Sequence, residues 1–230
     1  MKLALFDIDG TILRSDGAGR HALHGALREE FGHVGPADHP FDGKTDRQIV
    51  RELMRLEGND DAAIDQRMET VLARYLEVLH VELAAGDHEV TLLPGVLELL
   101  DALEQRSDVT LGLLTGNVAA GAAAKLAAVG IDVGRFAVGA FGSDHEHRPE
   151  LPAIAQRRAR EQLGHSIEGE RLVIIGDTPA DVDCGRALGA RAIAVATGRY
   201  GADELASHGP AVVFPDLRDT AAVVHAIVRD

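Results

Sequence analysis

Residues 172–189 read LVIIGDTPADVDCGRALG. The apolar run Leu172–Ile175 breaks off at Gly176 and Asp177, as a short buried strand does where it leaves a sheet. From Ala180 apolar residues return at helical spacing as far as Leu188, and Gly189 then supplies a residue suited to a helix end. A strand, an acidic turn and a helix in one short stretch form the unit from which parallel sheets covered by helices are built.

The same alternation recurs on both sides. Short apolar runs at 2–8, Val109–Leu114, Phe136–Val138, Arg191–Val195 and Val212–Phe214 read as strands. Leu97–Leu103 behind Pro94 and Val118–Val129 before Gly130 read as helices. The pattern predicts an α/β fold with a doubly wound, mostly parallel, Rossmann-like sheet. Between Gly17 and about His88 the strand signal vanishes. Leu23 and Leu27 are spaced i, i+4; Ile49, Leu53 and Leu56 follow Thr45, with Gln48 placed to complete a capping box; and a longer stripe runs Ile64, Met68, Val71, Tyr75, Leu79, Leu83. Residues 1–16 and 90–230 are therefore expected to form the α/β core, and 17–89 an all-α cap inserted after the first strand. Such an insertion lies over the strand's C-terminal end, where open sheets bind ligands, and can act as a lid.

Composition narrows the partners. The 230 residues include 46% hydrophobic and 26% charged side chains, which suits an ordinary globular chain with a sizeable core. The net charge is −14, and aromatic side chains are limited to two tyrosines and six phenylalanines. A basic, base-stacking surface is lacking, so nucleic acid is not expected as a partner. The single cysteine, Cys184, permits no internal disulfide and no cysteine-based zinc site. The opening MKLALFDID meets Asp7 before a signal or membrane-spanning segment could form. The expectation is a cytoplasmic protein that does not engage membranes.

Chemistry concentrates at the predicted strand ends. FDIDGT places Asp7 and Asp9 two apart on the first strand, so their carboxylates share a face and repel unless a cation or proton separates them. Thr115, Gly116 and Asn117 follow the strand ending at Leu114 and offer a hydroxyl and backbone N–H groups suited to phosphate. Asp177 and Asp181 follow Ile175 and are hard oxygen donors suited to magnesium. Singly, each has a plain structural reading as a turn former, helix cap or dipole partner. Together they fall at the ends of three strands that a doubly wound sheet brings to one edge.

FDIDGT, LLTGN and IIGDTPADV, in this order, resemble motifs one, two and four of the haloacid dehalogenase superfamily of phosphohydrolases. The helical block is similar to the cap of its phosphoglycolate phosphatase and β-phosphoglucomutase branch. The resemblance implies a magnesium-dependent phosphomonoesterase for a small phosphorylated metabolite. Asp7 would be the nucleophile that forms an aspartyl-phosphate, and Asp9 the general acid and base. Mg2+ would be held by the Asp7 and Asp177 carboxylates and the Asp9 carbonyl, with Asp181 bound directly or through water. Thr115, Gly116 and Asn117 would hold the phosphoryl oxygens.

The third motif departs from the family pattern, which has a lysine there. The lysines are Lys2, Lys44 and Lys125, and none follows the third strand. Arg148 in SDHEHRPELP is assigned this clamp, with Asp144 placed to orient it; Arg157 and Arg158 read as solvated, and His145 and His147 as loop residues. Asp9 argues against a dehalogenase or phosphonatase. Lys44 and Thr45 in FDGKTD are candidates for reading a second group on the substrate, against the plainer reading of an exposed loop lysine. A β-phosphoglucomutase-type phosphotransferase is the alternative. A non-enzymatic phospho-acceptor module fits less well, because receivers carry their functional Asp after a later strand.

Overall fold

The computed structural model describes residues 1–85 and 88–229. Residues 86 and 87, within the expected insertion, and Asp230 lie outside the described residues. Strands β1 (Lys2–Phe6), β4 (Val109–Thr115), β5 (Val138–Phe141), β6 (Leu172–Gly176), β7 (Arg191–Val195) and β8 (Val212–Phe214) form one sheet in the order β5-β4-β1-β6-β7-β8. Every pairing in it is parallel. From β1 the chain adds β4 and β5 on one side, then returns to add β6, β7 and β8 on the other. The loops after β1, β4 and β6 therefore diverge at a switch in strand order, the place where doubly wound sheets open a crevice.

β1 is buried along its whole length because both faces are covered. Leu3 and Leu5 pack with Leu151, Ala155 and Ala159 of α6 (Leu151–Leu163) and Cys184 of α7 (Pro179–Cys184). Ala4 and Phe6 point the other way, toward α4 (Val96–Glu104), α5 (Ala119–Ala128) and α9 (Thr220–Val228). The helix α8 (Ala202–Ser207) packs Leu205 beside Ala192 and Ala194 of β7.

Between β1 and β4 run α1 (Ala18–Phe31), α2 (Asp46–Leu56) and α3 (Asp61–Ala85). They have an apolar core of their own, in which Leu23, Leu27, Ile49, Leu53, Ile64, Met68, Val71, Tyr75 and Leu79 are buried. Val118, from the loop after β4, joins that core and seats the block on the sheet edge. The outgoing and returning chains pair as a short antiparallel ribbon, β2 (Leu13–Arg14) against β3 (Thr91–Leu92).

Four local expectations are corrected. The edge strand occupies Val138–Phe141 and not Phe136–Val138, because a single 3₁₀ turn at Val133–Arg135 delays its pairing until Ala137 donates to the Leu111 carbonyl. The helix after β6 ends at Cys184; the chain tightens into a 3₁₀ turn at Arg186–Leu188 before entering β7. Leu56 is exposed at the end of α2, and Val50 and Met54 fill the buried face instead. Thr45 does cap α2, accepting the Gln48 backbone N–H at 3.1 Å. The Gln48 side chain donates to Glu52 at 2.8 Å, so the reciprocal half of the box is not made.

Candidate active site

Asp7 directly follows β1, and its N–H continues the ladder to the Ile175 carbonyl at 2.9 Å. That bond fixes the carboxylate beside the ends of β4 and β6. Arg148 reaches it from the turn before α6, with Nη2 3.1 Å from Asp7 Oδ1. The same Nη2 contacts Asp181 Oδ1 and the Leu114 carbonyl. Arg148 is 3% exposed, and its Nε is buried without a hydrogen-bond partner among the described residues. Asp181 is aimed by a capping box at the start of α7: its Oδ2 accepts from the Thr178 N–H at 3.0 Å and hydroxyl at 2.6 Å. Asp177 accepts from the Thr11 hydroxyl at 3.2 Å. Gly10, at φ 82°, turns the chain beneath it, and a Cβ at this position would collide with the Asp177 carboxylate.

Asp7, Asp177 and Asp181 bring ligand atoms within 4.8 Å of one another, all buried. Burial pushes Asp7 up to about 6; Arg148 pulls against this, and Asp181 and Asp9 add to the rise. Burial, with Asp181 and Asp7 nearby, holds Asp177 well above the usual carboxylate range. Three carboxylates around one guanidinium form an anionic pocket short of positive charge.

Asp9 sits differently. Its oxygens accept from Lys125 Nζ at 2.9 and 2.7 Å, from Asn117 Nδ2 at 2.8 Å and from the Ser15 hydroxyl at 3.0 Å. Burial raises its pKa, but Lys125, Asn117 and Ser15 outweigh that and hold it below the usual range. Thr115 is fully buried, and its Oγ1 accepts from Asn117 Nδ2 at 2.8 Å. Both amide hydrogens of Asn117 thus face side-chain oxygens.

The helical block closes over this edge. The Asp46 N–H donates to the Gly116 carbonyl at 2.9 Å, and its carboxylate accepts from the Val118 N–H at 2.8 Å. Gly116 passes so close to the Lys44 carbonyl that a Cβ there would overlap it. Thr45 donates to the Glu146 carbonyl at 2.5 Å while capping α2. Lys44 Nζ meets Glu52 at 2.5 Å and His39 at 3.2 Å. A cavity of about 220 Å³ remains, walled by Asp7, Asp9 and Arg148 on the sheet side and Arg20, Lys44 and Tyr75 on the helical side.

The profile of the haloacid dehalogenase-like hydrolases matches residues 4–186. The chain belongs to that family. It is 27% identical over 230 residues to a phosphoglycolate phosphatase of Rhodospirillum rubrum, an alignment covering 94% of this chain and 88% of the relative. A hydrolase from Pseudomonas syringae has the same fold, with a TM-score of 0.75, 22% identity and full coverage of both chains. CbbY from Rhodobacter sphaeroides, solved in complex with phosphate, superposes with a TM-score of 0.73 at 20% identity, covering 95% and 96% of the two chains.

In this haloacid dehalogenase-like hydrolase the donor set suits a small hard cation such as Mg2+: three converging buried carboxylates, with a glycine leaving room beside one of them. Arg148, assigned from sequence to the place of the family's lysine, does reach the Asp7 carboxylate. Asp144 does not orient it. The Asp144 carboxylate pairs with Arg158 at 2.6 and 2.8 Å, so Arg158 is pinned and half-buried instead of solvated. His145 and His147 contact each other on the loop and are not part of the carboxylate cluster. Sequence reading missed Lys125, Ser15, Asp46 and Thr178. A lysine alone in the alanine-rich α5 was the available signal for the first, since a helix packed on a sheet rarely turns an unpartnered cation inward.

Proposed function

We propose that this protein is a magnesium-dependent phosphomonoesterase for a small phosphorylated metabolite, similar in action to phosphoglycolate phosphatase, and that residues 17–89 form its cap. The observation that carries the reading is the buried Asp7 carboxylate held against Arg148, with Asp177 and Asp181 converging beside it. The 27% identity to a phosphoglycolate phosphatase across nearly the whole chain supports it.

In this reading an Asp7 oxygen attacks phosphorus, the bond to the alkoxide breaks and an aspartyl-phosphate forms. Asp9 gives the alkoxide its proton. Water then attacks the aspartyl-phosphate, Asp9 takes the water's proton, and inorganic phosphate leaves with the Asp7 carboxylate restored. The state with Asp9 ionised against Lys125 suits the second half. Arrival of a phosphate dianion beside Asp9 raises its proton affinity and suits the first. Arg148 neutralises charge on the transferring oxygens, with Thr115, Gly116 and Asn117 arranged along the loop that faces them. Mg2+, held by Asp7, Asp177, Asp181 and the Asp9 carbonyl, would offset the repulsion between nucleophile and substrate.

Lys44 already has Glu52 as a counter-ion, and the Thr45 hydroxyl is engaged at both its oxygen and its hydrogen. Lys44 lines the cavity with its charge already paired, and Thr45 holds the helical block to the loop before α6 instead of facing the substrate. The test is inorganic phosphate release from a panel of phosphorylated metabolites, with Mg2+ and with excess chelator, using Asp7→Asn as the blank. Magnesium-dependent release by wild type alone is expected, without a bisphosphate activator. A requirement for such an activator would replace hydrolysis with phosphotransfer, and no turnover of any compound would overturn the reading.

A further inference from the structure

We propose that Lys125 is a positioning residue for Asp9, fixing the plane of its carboxylate and the orientation of the Asn117 amide that joins it to Thr115. The inference rests on the assignment of Asp9 as acid and base, and adds a residue to that step.

Lys125 lies on α5 and is 4% exposed. A buried ammonium is costly unless its hydrogens find acceptors. Here it has Asp9 Oδ1, Asp9 Oδ2 and Asn117 Oδ1, the last at 2.7 Å. Three hydrogens meet three oxygens, so none remains for a substrate anion. Lys125 therefore acts through Asp9 and Asn117 rather than by binding phosphate.

The arrangement is directional. Asp9 Oδ1 is shared by Lys125 and Ser15, and Oδ2 by Lys125 and Asn117. The ammonium bridges the two oxygens while Ser15 and Asn117 hold one each, which resists rotation of the carboxylate. Lys125 also decides which way Asn117 faces. Its cation holds Oδ1, so Nδ2 points at Asp9 and Thr115. Without that cation a flipped amide would present an oxygen to the Asp9 carboxylate, and the hydrogen bond would become a repulsion. Gly19 of α1 closes the far side, where a Cβ would stand 3.3 Å from Nζ.

The experiment compares Lys125→Met, Lys125→Arg, Asp9→Asn and the double variant Asp9→Asn/Lys125→Met. Each is assayed on p-nitrophenyl phosphate and on the alkyl phosphate of the panel that wild type hydrolyses fastest. Lys125→Met should lower kcat on the alkyl substrate by about 10²-fold with KM nearly unchanged, because general acid–base catalysis is worth roughly 10²–10⁴. In kcat/KM, which reports only the steps through departure of the leaving group, the loss on p-nitrophenyl phosphate should be far smaller, since nitrophenolate departs without a proton; in kcat the two losses converge wherever hydrolysis of the aspartyl-phosphate, which also uses Asp9, limits the rate. Lys125→Arg should recover part of the rate, and Lys125→Met should cost little more once Asp9 is already Asn. Equal losses of kcat/KM on both substrates, or independent losses in the double variant, would overturn the proposal. If Asp9→Asn itself shows no preference between leaving groups in kcat/KM, the acid assignment fails and takes the proposal with it. If Asp9→Asn shows that preference and Lys125→Met does not, only the role of Lys125 falls. Should Lys125→Met not fold, judged by its thermal transition, Lys125→Gln makes the same comparison with an uncharged polar side chain.

Discussion

Asp7 and Asp9 leave the same strand two residues apart, yet they meet opposite electrostatic surroundings. Around Asp7 the neighbours are two more carboxylates and one guanidinium, and burial pushes its pKa up to about 6. Around Asp9 they are an ammonium, an amide and a hydroxyl, which together overcome burial and hold the group ionised. One side is short of positive charge and the other already has it. Divergent environments for neighbouring acids are how one fold assigns them different tasks. In the proposed reading the difference suits Asp7 to a cation and a phosphoryl group, and Asp9 to proton transfer.

The sharpest way to break this contrast is Asp7→Asn, which is expected to reduce phosphate release by on the order of 10⁴-fold or more while the fold persists. Turnover equal to wild type would reassign the nucleophile. Chelation should silence wild type, and Asp177→Asn should raise the Mg2+ concentration for half-maximal rate by more than about tenfold, since even the partners of metal ligands change affinity by roughly 10–100-fold. A magnesium titration of the rate decides this. Arg148→Ala should cost roughly 10²–10³-fold in kcat as the crowded side loses its one cation, and Arg148→Lys should recover part of it. Indifference to both would place the clamp elsewhere.

The mildest test lies at the seam between helical block and sheet. Burial lifts Asp46 to about 6, against the pull of Lys125 and the Val118 N–H, from an ordinary 3.8. A carboxyl whose folded pKa is raised makes the fold lose stability as pH climbs from about 4 to about 6 and levels off above that. Asn at this position keeps an oxygen for Val118 and removes the titration. Asp46→Asn should therefore melt at a higher temperature than wild type at pH 7.5, by roughly 2–4 °C for each kcal/mol gained. The gap should shrink toward pH 4. Thermal unfolding with the chelator present at both pH values checks the sign.

The strands and most helices were legible because their signals are local. Burial on both faces turns β1 and β6 into unbroken apolar runs, and the acids that follow them must lie at the sheet edge. The edge strand slipped because a 3₁₀ turn has no strong signature in the letters around Val133. Leu56 fits the spacing of α2 but lies on its last turn, where there is nothing left to pack against. Asp7, Asp177 and Arg148 could be placed because each stands next to a predicted strand or helix end. Lys125 could not, since it meets Asp9 only through the packing of α5, 116 positions away in the chain. Asp46 and Gly116 are likewise joined by a contact that no spacing announces.

The carboxylate trio also bears on the order of events. Fully ionised, Asp7, Asp177 and Asp181 against Arg148 would carry an excess of two negative charges, at the place where the proposed reading brings a phosphoryl dianion. A divalent cation bound there would both hold the three groups ionised and cancel that excess, and substrate affinity would then be conditional on metal. Linkage is reciprocal: whatever factor the metal contributes to substrate binding, substrate returns to metal binding. The two ligands then behave as one cooperative pair, and each lowers the concentration at which the other half-saturates the protein. Inorganic phosphate shares the substrate's charge and should tighten metal binding in the same way, making the last product to leave also the one that retains the ion.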